Sequence, residues 1–101
     1  MSVMMGMRLT VDPARFEQVA REDSDAMRAI AERAKSLGAI HHAFFAGDGE
    51  VLIADEWETE EGFHEFFAAA SSEIGLLMSQ AGVTNVPRPE FWRMLDTPDR
   101  F

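Results

Sequence analysis

Two short apolar runs flank the segment Gly47–Glu50, and this pattern constrains the fold of the 101-residue chain more than any other feature of its sequence. The two runs, Ile40–Ala46 and Val51–Trp57, have the length and the β-compatible residues of strands. Between them, Asp48-Gly49 is a strong signal for a tight β-hairpin. The sequence therefore predicts two neighbouring antiparallel strands.

The N-terminal part of the chain predicts one strand and one helix. Val3–Leu9 is an apolar run of strand length. Asp12-Pro13 follows, with aspartate suited to the N-cap and proline to the first helical position. The acidic turn 22–25 interrupts the helix, so we expect a bend there, but we interpret the whole segment up to Gly38 as one element. Its apolar stripe comprises Phe16, Val19, Ala20, Met27, Ile30, Ala31, Ala34 and Leu37.

The C-terminal part predicts a second helical region and a last strand. Thr59 is a candidate N-cap, and two glutamates follow it in the first helical turn, where the helix dipole favours negative charge. We expect a break at Ser71-Ser72, a second helical piece over Glu73–Ala81, and a strand over Phe91–Leu95. The apolar face of the first helical piece contains Phe63, Phe66, Phe67 and Ala70.

The predicted elements follow the order strand, helix, strand, strand, helix, strand. This order specifies an α+β fold of the ferredoxin-like βαββαβ type, with an antiparallel sheet and the helices on one face. The length allows one hydrophobic core, so we expect a single domain over residues 1–101. The uncovered sheet face predicts a homodimer in which two sheets pack back to back. Phe91 and Trp92 point to opposite faces, and the sequence leaves open which of them meets the partner subunit.

The composition excludes several classes of function. Nine Lys and Arg against 18 Asp and Glu give a formal net charge of −9, which disfavours binding to nucleic acids and to anionic membranes. The absence of cysteine excludes thiolate nucleophiles and cysteine-ligated metals, and the absence of tyrosine excludes phenol-based acid-base chemistry. Since there is no run of membrane-spanning length and no recognisable leader, we expect a cytoplasmic location.

Two adjacent histidines on the second strand are candidates for chemistry. His41 and His42 point to opposite sheet faces, so only one of them lines a given pocket. A two-residue turn places His42 across from Asp55, whereas a three-residue loop places His41 there. A carboxylate beside an imidazole fixes its orientation and favours its protonated form, as a general acid or base requires. The alternative interpretation is an ordinary cross-strand charge pair.

The apolar residues are rich in methionine and phenylalanine, with seven and eight copies. Methionine adapts to irregular shapes and aromatic rings stack on flat ligands, so some of these residues are candidates for a cavity that binds an apolar or aromatic small molecule. The alternative is plain core packing. No histidine pair has the spacing of a helical metal site, and we predict no metal. The candidate ligand-binding residues are Met5, Met7, Phe63, Phe66 and Phe67.

Over nearly its whole length, by element order, the chain resembles the antibiotic biosynthesis monooxygenase family of the dimeric α+β barrel superfamily. The most specific part of this resemblance is segment 51–67, with a strand ending in Asp55-Glu56-Trp57, a helix entry Thr59-Glu60-Glu61 and an aromatic face Phe63, Phe66 and Phe67. The resemblance implies a dimeric α+β barrel and monooxygenase-type chemistry on a small molecule. The family covers several activities, so each functional position must be compared separately.

Two groups within this family differ in how well the chain matches them. Cofactor-independent anthrone oxygenases look similar at Trp57, but their tyrosine six residues later falls on Phe63 and their asparagine four residues earlier falls on Ile53. Haem-degrading members have an asparagine, a tryptophan and a histidine iron ligand. In approximate ungapped matching these positions are occupied by Met7, Phe66 and Leu76. The resemblance therefore gives no support for a haem, and we expect no cofactor.

Three hypotheses of function remain from the sequence. In the first, a cofactor-free oxygenase or isomerase acts on a flat aromatic or polyketide-like substrate, with His42 as base, Asp55 as its orienting carboxylate and Trp57 as a platform. In the second, the chain is a non-catalytic ligand-binding or regulatory dimer. In the third, the aromatic residues form only the core and the dimer interface, without any cavity. We take a monooxygenase-like protein as the best single description.

Overall fold

The computed structural model describes residues 1 to 101 and contains four strands and four helices. In chain order these are β1 (Val3–Thr10), α1 (Pro13–Glu22), α2 (Ser24–Ser36), β2 (Ala39–Ala46), β3 (Glu50–Trp57), α3 (Glu60–Ala69), α4 (Ser71–Ala81) and β4 (Glu90–Arg93). The strands form one antiparallel sheet in the order β2-β3-β1-β4. This is the ferredoxin-like α+β arrangement, so the predicted fold class is confirmed.

The β2-β3 hairpin has the two-residue turn that the sequence allows. The Gly47 N–H donates to the Glu50 carbonyl at 2.8 Å, and Gly49 adopts a φ of +69°, a conformation that favours glycine. In the resulting register His42 is the direct partner of Asp55. The alternative register, in which His41 is the partner of Asp55, is excluded.

The predicted first helix is two helices, so the prediction of one element was wrong. Asp23 leaves the helical conformation with φ −108° and ψ 40°, although its N–H still bonds to the Val19 carbonyl at 3.0 Å. The acidic turn has no apolar side chain that packs on the core, so nothing holds the backbone helical at this point. The expected bend lies at the expected place, but it is sharp enough to separate α1 from α2.

The second helical region also divides, one residue earlier than predicted. Ala70, which is fully buried, leaves the helical conformation with φ −103° and ψ 10°, and α4 begins directly after it at Ser71. The chain enters α3 through Thr59, whose Oγ1 accepts a hydrogen bond from the Gly62 N–H at 3.0 Å. The last strand, Glu90–Arg93, is shorter than the predicted Phe91–Leu95.

The core lies between the helices and one face of the sheet. Strand β1 alternates between buried and more exposed residues, as expected of a strand covered on one face only. The residues of this core include Met5, Met7, Leu9, Val51, Ile53, Trp57, Phe63 and Phe66. Phe91 pairs with Met5 and packs against the core, so the open question about the last strand is answered: Trp92 is on the other face.

The other face of the sheet carries exposed apolar side chains, which we call the outer face. Met4, Phe45, Leu52 and Trp92 belong to it, and all four are exposed. Trp92 covers Gly6, where a Cβ atom would approach its ring to 3.0 Å. None of the helices has both the length and the apolar character needed to cross a bilayer.

Candidate active site

A cavity of about 250 Å³ lies between the sheet and the helices, and all four helices contribute to its lining. Of its 22 lining residues, 18 are hydrophobic, so its interior suits an apolar molecule. The third hypothesis, a molecule without a cavity, is therefore contradicted. All five candidate ligand-binding residues are in the lining: Met5, Met7, Phe63, Phe66 and Phe67.

Several lining residues were assigned by the sequence only to the apolar stripes of helices. Phe16 of α1 and Met27 and Ile30 of α2 belong to this group, and Phe16 packs on Phe44 of β2 with ring centroids 4.9 Å apart. A helical stripe shows which face of a helix is buried, but it does not show where neighbouring side chains leave a space. The signal for these residues was therefore present, without the information that they border a cavity.

Four lining residues are not hydrophobic, namely Lys35, His41, His42 and Asp55. The sequence singled out the last three and missed Lys35. The exposed residues of the lining are Lys35, Ile40, His41 and His42. The mouth of the cavity therefore lies between the C-terminal end of α2 and the first half of β2.

The shortest polar contact at this site joins His42 and Asp55. His42 Nδ1 lies 2.7 Å from Asp55 Oδ1. Asp55 is only 5% exposed, whereas the His42 side chain is 39% exposed and borders the cavity. An ionised carboxylate only accepts hydrogen bonds, so we assign the proton of this pair to Nδ1. Nε2 is then the free nitrogen of the ring.

Trp57 holds the second oxygen of the same carboxylate. Its Nε1–H donates to Asp55 Oδ2 at 3.1 Å, so each oxygen of Asp55 has one donor. The indole is fully buried and packs against Phe63 and Phe66, with ring centroids 5.5 Å away in both cases. Trp57 is not among the lining residues. The expected role as a platform under the ligand is therefore corrected, because Trp57 meets the site through Asp55.

The two other histidines lie outside this arrangement. His41 also borders the cavity at its mouth, so the expectation that only one of the two histidines would do so was wrong. Its side chain is nevertheless 79% exposed, and its Nε2 lies 3.9 Å from Oε1 of Glu56, its partner residue on the outer face. His64 Nε2 lies 3.4 Å from Glu60 Oε2 on the exposed side of α3. The protein contains no group of three or more His, Cys, Asp or Glu side chains arranged to hold a metal ion.

The geometry of these three residues suits transfer of a proton to or from a bound molecule. His42 borders the cavity, and Nε2 is the ring nitrogen that Asp55 leaves free. Asp55 stabilises the imidazolium that forms when Nε2 accepts a proton. Trp57 keeps the carboxylate in one orientation. The burial of Asp55 strengthens its interaction with the imidazole, because a buried charge is screened less by water.

No family model and no curated protein matches the chain. Solved structures with the same fold include SnoaB, a cofactor-independent oxygenase from Streptomyces nogalater, with 16% identity, 98% of each chain covered and a TM-score of 0.65. A monooxygenase from the gene ActVA-Orf6 of Streptomyces coelicolor, in complex with the ligand nanaomycin D, is 20% identical, with 97% of this chain and 93% of that chain covered and a TM-score of 0.67.

A third match is a dimeric ferredoxin-like protein from an uncultured marine organism, at 11% identity, with 99% and 93% of the two chains covered and a TM-score of 0.70. Antibiotic biosynthesis monooxygenases are also among the matching structures. Identities this low establish a shared fold and not a shared activity. The resemblance noted in the sequence is thus confirmed at the level of structure, and the chain has the ferredoxin-like α+β fold of antibiotic biosynthesis monooxygenases.

Proposed function

We propose that this protein binds a small, flat, mostly apolar molecule in the cavity and acts on it as a cofactor-free monooxygenase-type enzyme. The observation that carries the proposal is the hydrogen-bonded series Trp57–Asp55–His42, which ends at the border of an otherwise apolar cavity. A structural charge pair does not require that its histidine borders a cavity. The proposal is also supported by neighbours of the same fold that are named as oxygenases.

In the proposed reaction, His42 Nε2 removes a proton from a CH₂ group of the ligand that adjoins its ring system. The resulting carbanion is delocalised over the rings and adds dioxygen to form a peroxide anion. That anion takes the proton back, and the hydroperoxide then loses water to leave a carbonyl group. The CH₂ group and dioxygen thus yield a C=O group and one water molecule, without a cofactor.

The second candidate function is a non-catalytic binding dimer. Two positions at which anthrone oxygenases have polar groups are occupied here by Phe63 and Ile53, and both residues are buried. The ligand therefore meets fewer hydrogen-bonding groups than in those enzymes. This favours a protein that sequesters a hydrophobic metabolite.

We also propose that the protein is a homodimer formed through the outer face. This face exposes Met4, Phe45, Leu52 and Trp92 on neighbouring strands. Exposed apolar surface of this kind is typical of an interface. A matching structure of the same fold is named as dimeric, which agrees with this assembly.

The experiment that separates the two functions uses anthrone as a probe, because it is flat and has a CH₂ group between aromatic rings. Oxygen consumption and binding are measured for the wild type, for His42→Gln and for the control His64→Gln, which changes an exposed histidine outside the cavity. An enzyme of the proposed type oxidises anthrone, and His42→Gln lowers this rate by about 100-fold or more while binding remains. Binding without oxidation in the wild type favours the non-catalytic dimer.

A further inference from the structure

The mouth of the cavity has one permanently cationic side chain, that of Lys35, although the protein as a whole is acidic. The formal net charge is −9, and Lys35 is the only lysine in the chain. This single lysine is one of the 22 residues that line the cavity, and it lies at the mouth, close in sequence to the start of β2. The one acidic residue of the lining, Asp55, is buried and has both oxygens occupied.

The present partner of Lys35 leaves its ammonium group available. Nζ lies 3.2 Å from Glu32 Oε1 in the preceding helical turn, and the two side chains are 67% and 72% exposed. Ion pairs this exposed contribute little and exchange readily. The long aliphatic part of a lysine packs along apolar surface while its charged end stays in water. A lysine at the edge of an apolar cavity therefore suits a ligand whose polar end remains near the solvent.

We infer that the ligand of this cavity carries an acidic group, a carboxylate or an ionised phenol, that binds beside Lys35 at the mouth while its rings occupy the apolar interior. This inference rests on the proposed function, since it concerns the same cavity, and it specifies the class of ligand as an amphipathic organic anion. His42 on the facing strand then meets the part of the ligand that lies just inside the mouth. Lys35 is accordingly a residue that determines specificity, whereas the residue that takes part in the proposed reaction is His42.

The test compares acids with their neutral amides by isothermal titration calorimetry. The probes are benzoate, 2-naphthoate and anthracene-2-carboxylate, each with its carboxamide, so that each pair differs in charge and hardly in shape. For the ring size that fits, the wild type is expected to bind the acid at least about threefold more tightly than the amide, as for a partly exposed ion pair. Added salt is expected to reduce this preference, because it screens exposed charges.

The variant Lys35→Gln is expected to bind acid and amide equally. Arg28→Gln is the matched control, because it removes the same charge from the same helix at a residue outside the lining. It is expected to keep the preference for the acid. Equal binding of acid and amide by the wild type, or an unchanged preference in Lys35→Gln, overturns the inference and leaves the proposed function in place. If no probe of either kind binds, both are overturned.

Discussion

His42 Nδ1 lies 2.7 Å from Asp55 Oδ1, and the two residues are direct cross-strand partners on β2 and β3. The pair differs from an ordinary surface pair because its carboxylate is buried and its second oxygen is held by Trp57. The carboxylate therefore has one orientation, and it presents the imidazole in one orientation to the cavity. Preorganisation of this kind is what proton transfer in an enzyme requires.

The first prediction concerns the charge of Asp55. Asp55→Asn keeps the shape of the side chain but removes the charge that stabilises the imidazolium, and its amide N–H favours the tautomer in which Nε2 carries the proton. We expect kcat for the proposed oxidation to fall by about 100-fold or more, with a small change in ligand affinity. Steady-state kinetics and calorimetric binding measure the two effects. A variant with wild-type kcat contradicts the assigned role.

The second prediction concerns the indole N–H of Trp57. In Trp57→Phe the Asp55 oxygen loses its donor in a buried site, so we expect the free energy of unfolding to fall by roughly 1–3 kcal/mol, beyond the loss of packing. A double-mutant cycle with Asp55→Ala in urea unfolding separates the two contributions. Coupling between the residues is expected to be clearly favourable. If the effects of the two substitutions on the free energy of unfolding are additive, the hydrogen bond between Trp57 and Asp55 does not contribute to stability, which contradicts this prediction.

The sequence was sufficient to predict the hairpin, but it left open whether His42 or His41 is the partner of Asp55. Asp48-Gly49 is a local signal, and a tight turn fixes the register of both strands without help from the rest of the chain. The register then determines that His42, and not His41, faces Asp55. Local chemistry thus predicted a histidine–aspartate pair at this place, and the length of the turn, seen only in the structure, selected His42.

Features that depend on packing between distant elements were not predictable in the same way. Nothing in the sequence near Asp23 shows whether the backbone bends within a helix or leaves it, because that depends on which side chains reach the core. The burial of Trp57 behind the cavity depends on Phe63 and Phe66 of α3, which cover it. Lys35 follows a buried alanine on α2, and its place at the mouth depends on how α2 packs over β2.

The third prediction compares two helical glycines that have different surroundings. A Cβ atom on Gly62 would lie 2.4 Å from the Leu37 carbonyl oxygen, a backbone atom that cannot move away easily. At Gly75 no atom outside the adjacent residues and the local helix backbone lies within 4 Å of the same position. We expect Gly62→Ala to destabilise the protein by about 1–3 kcal/mol through overpacking. Gly75→Ala is expected to stabilise it by about 0.5–1 kcal/mol, because alanine is the better helix former.

Thermal and urea unfolding of the two variants check this prediction. The opposite signs are the essential result, because both substitutions add the same methyl group to a helix. Equal stabilisation by both variants contradicts the close approach of α3 to the end of α2. Such a result also means that α2 and α3 lie farther apart than in the structure. The cavity, whose walls these helices form, is then wider as well.

The last prediction concerns assembly through the outer face. Phe45 is 56% exposed on β2, beside Leu52 on β3. Phe45→Glu introduces a charge into the proposed interface, and since an unpaired buried charge costs several kcal/mol, we expect the dissociation constant of the dimer to rise by about 100-fold or more. Leu76→Glu is the control, because Leu76 is 61% exposed but lies on α4, away from the sheet.

Sedimentation equilibrium over a range of protein concentrations measures the dissociation constant of the dimer for the wild type and for both variants. The wild type and Leu76→Glu are expected to be dimers at concentrations where Phe45→Glu is a folded monomer. Circular dichroism of the variants establishes that they retain their secondary structure. A monomeric wild type, or a Phe45→Glu variant that dimerises like the wild type, contradicts an interface on the outer face that includes Phe45 and Leu52.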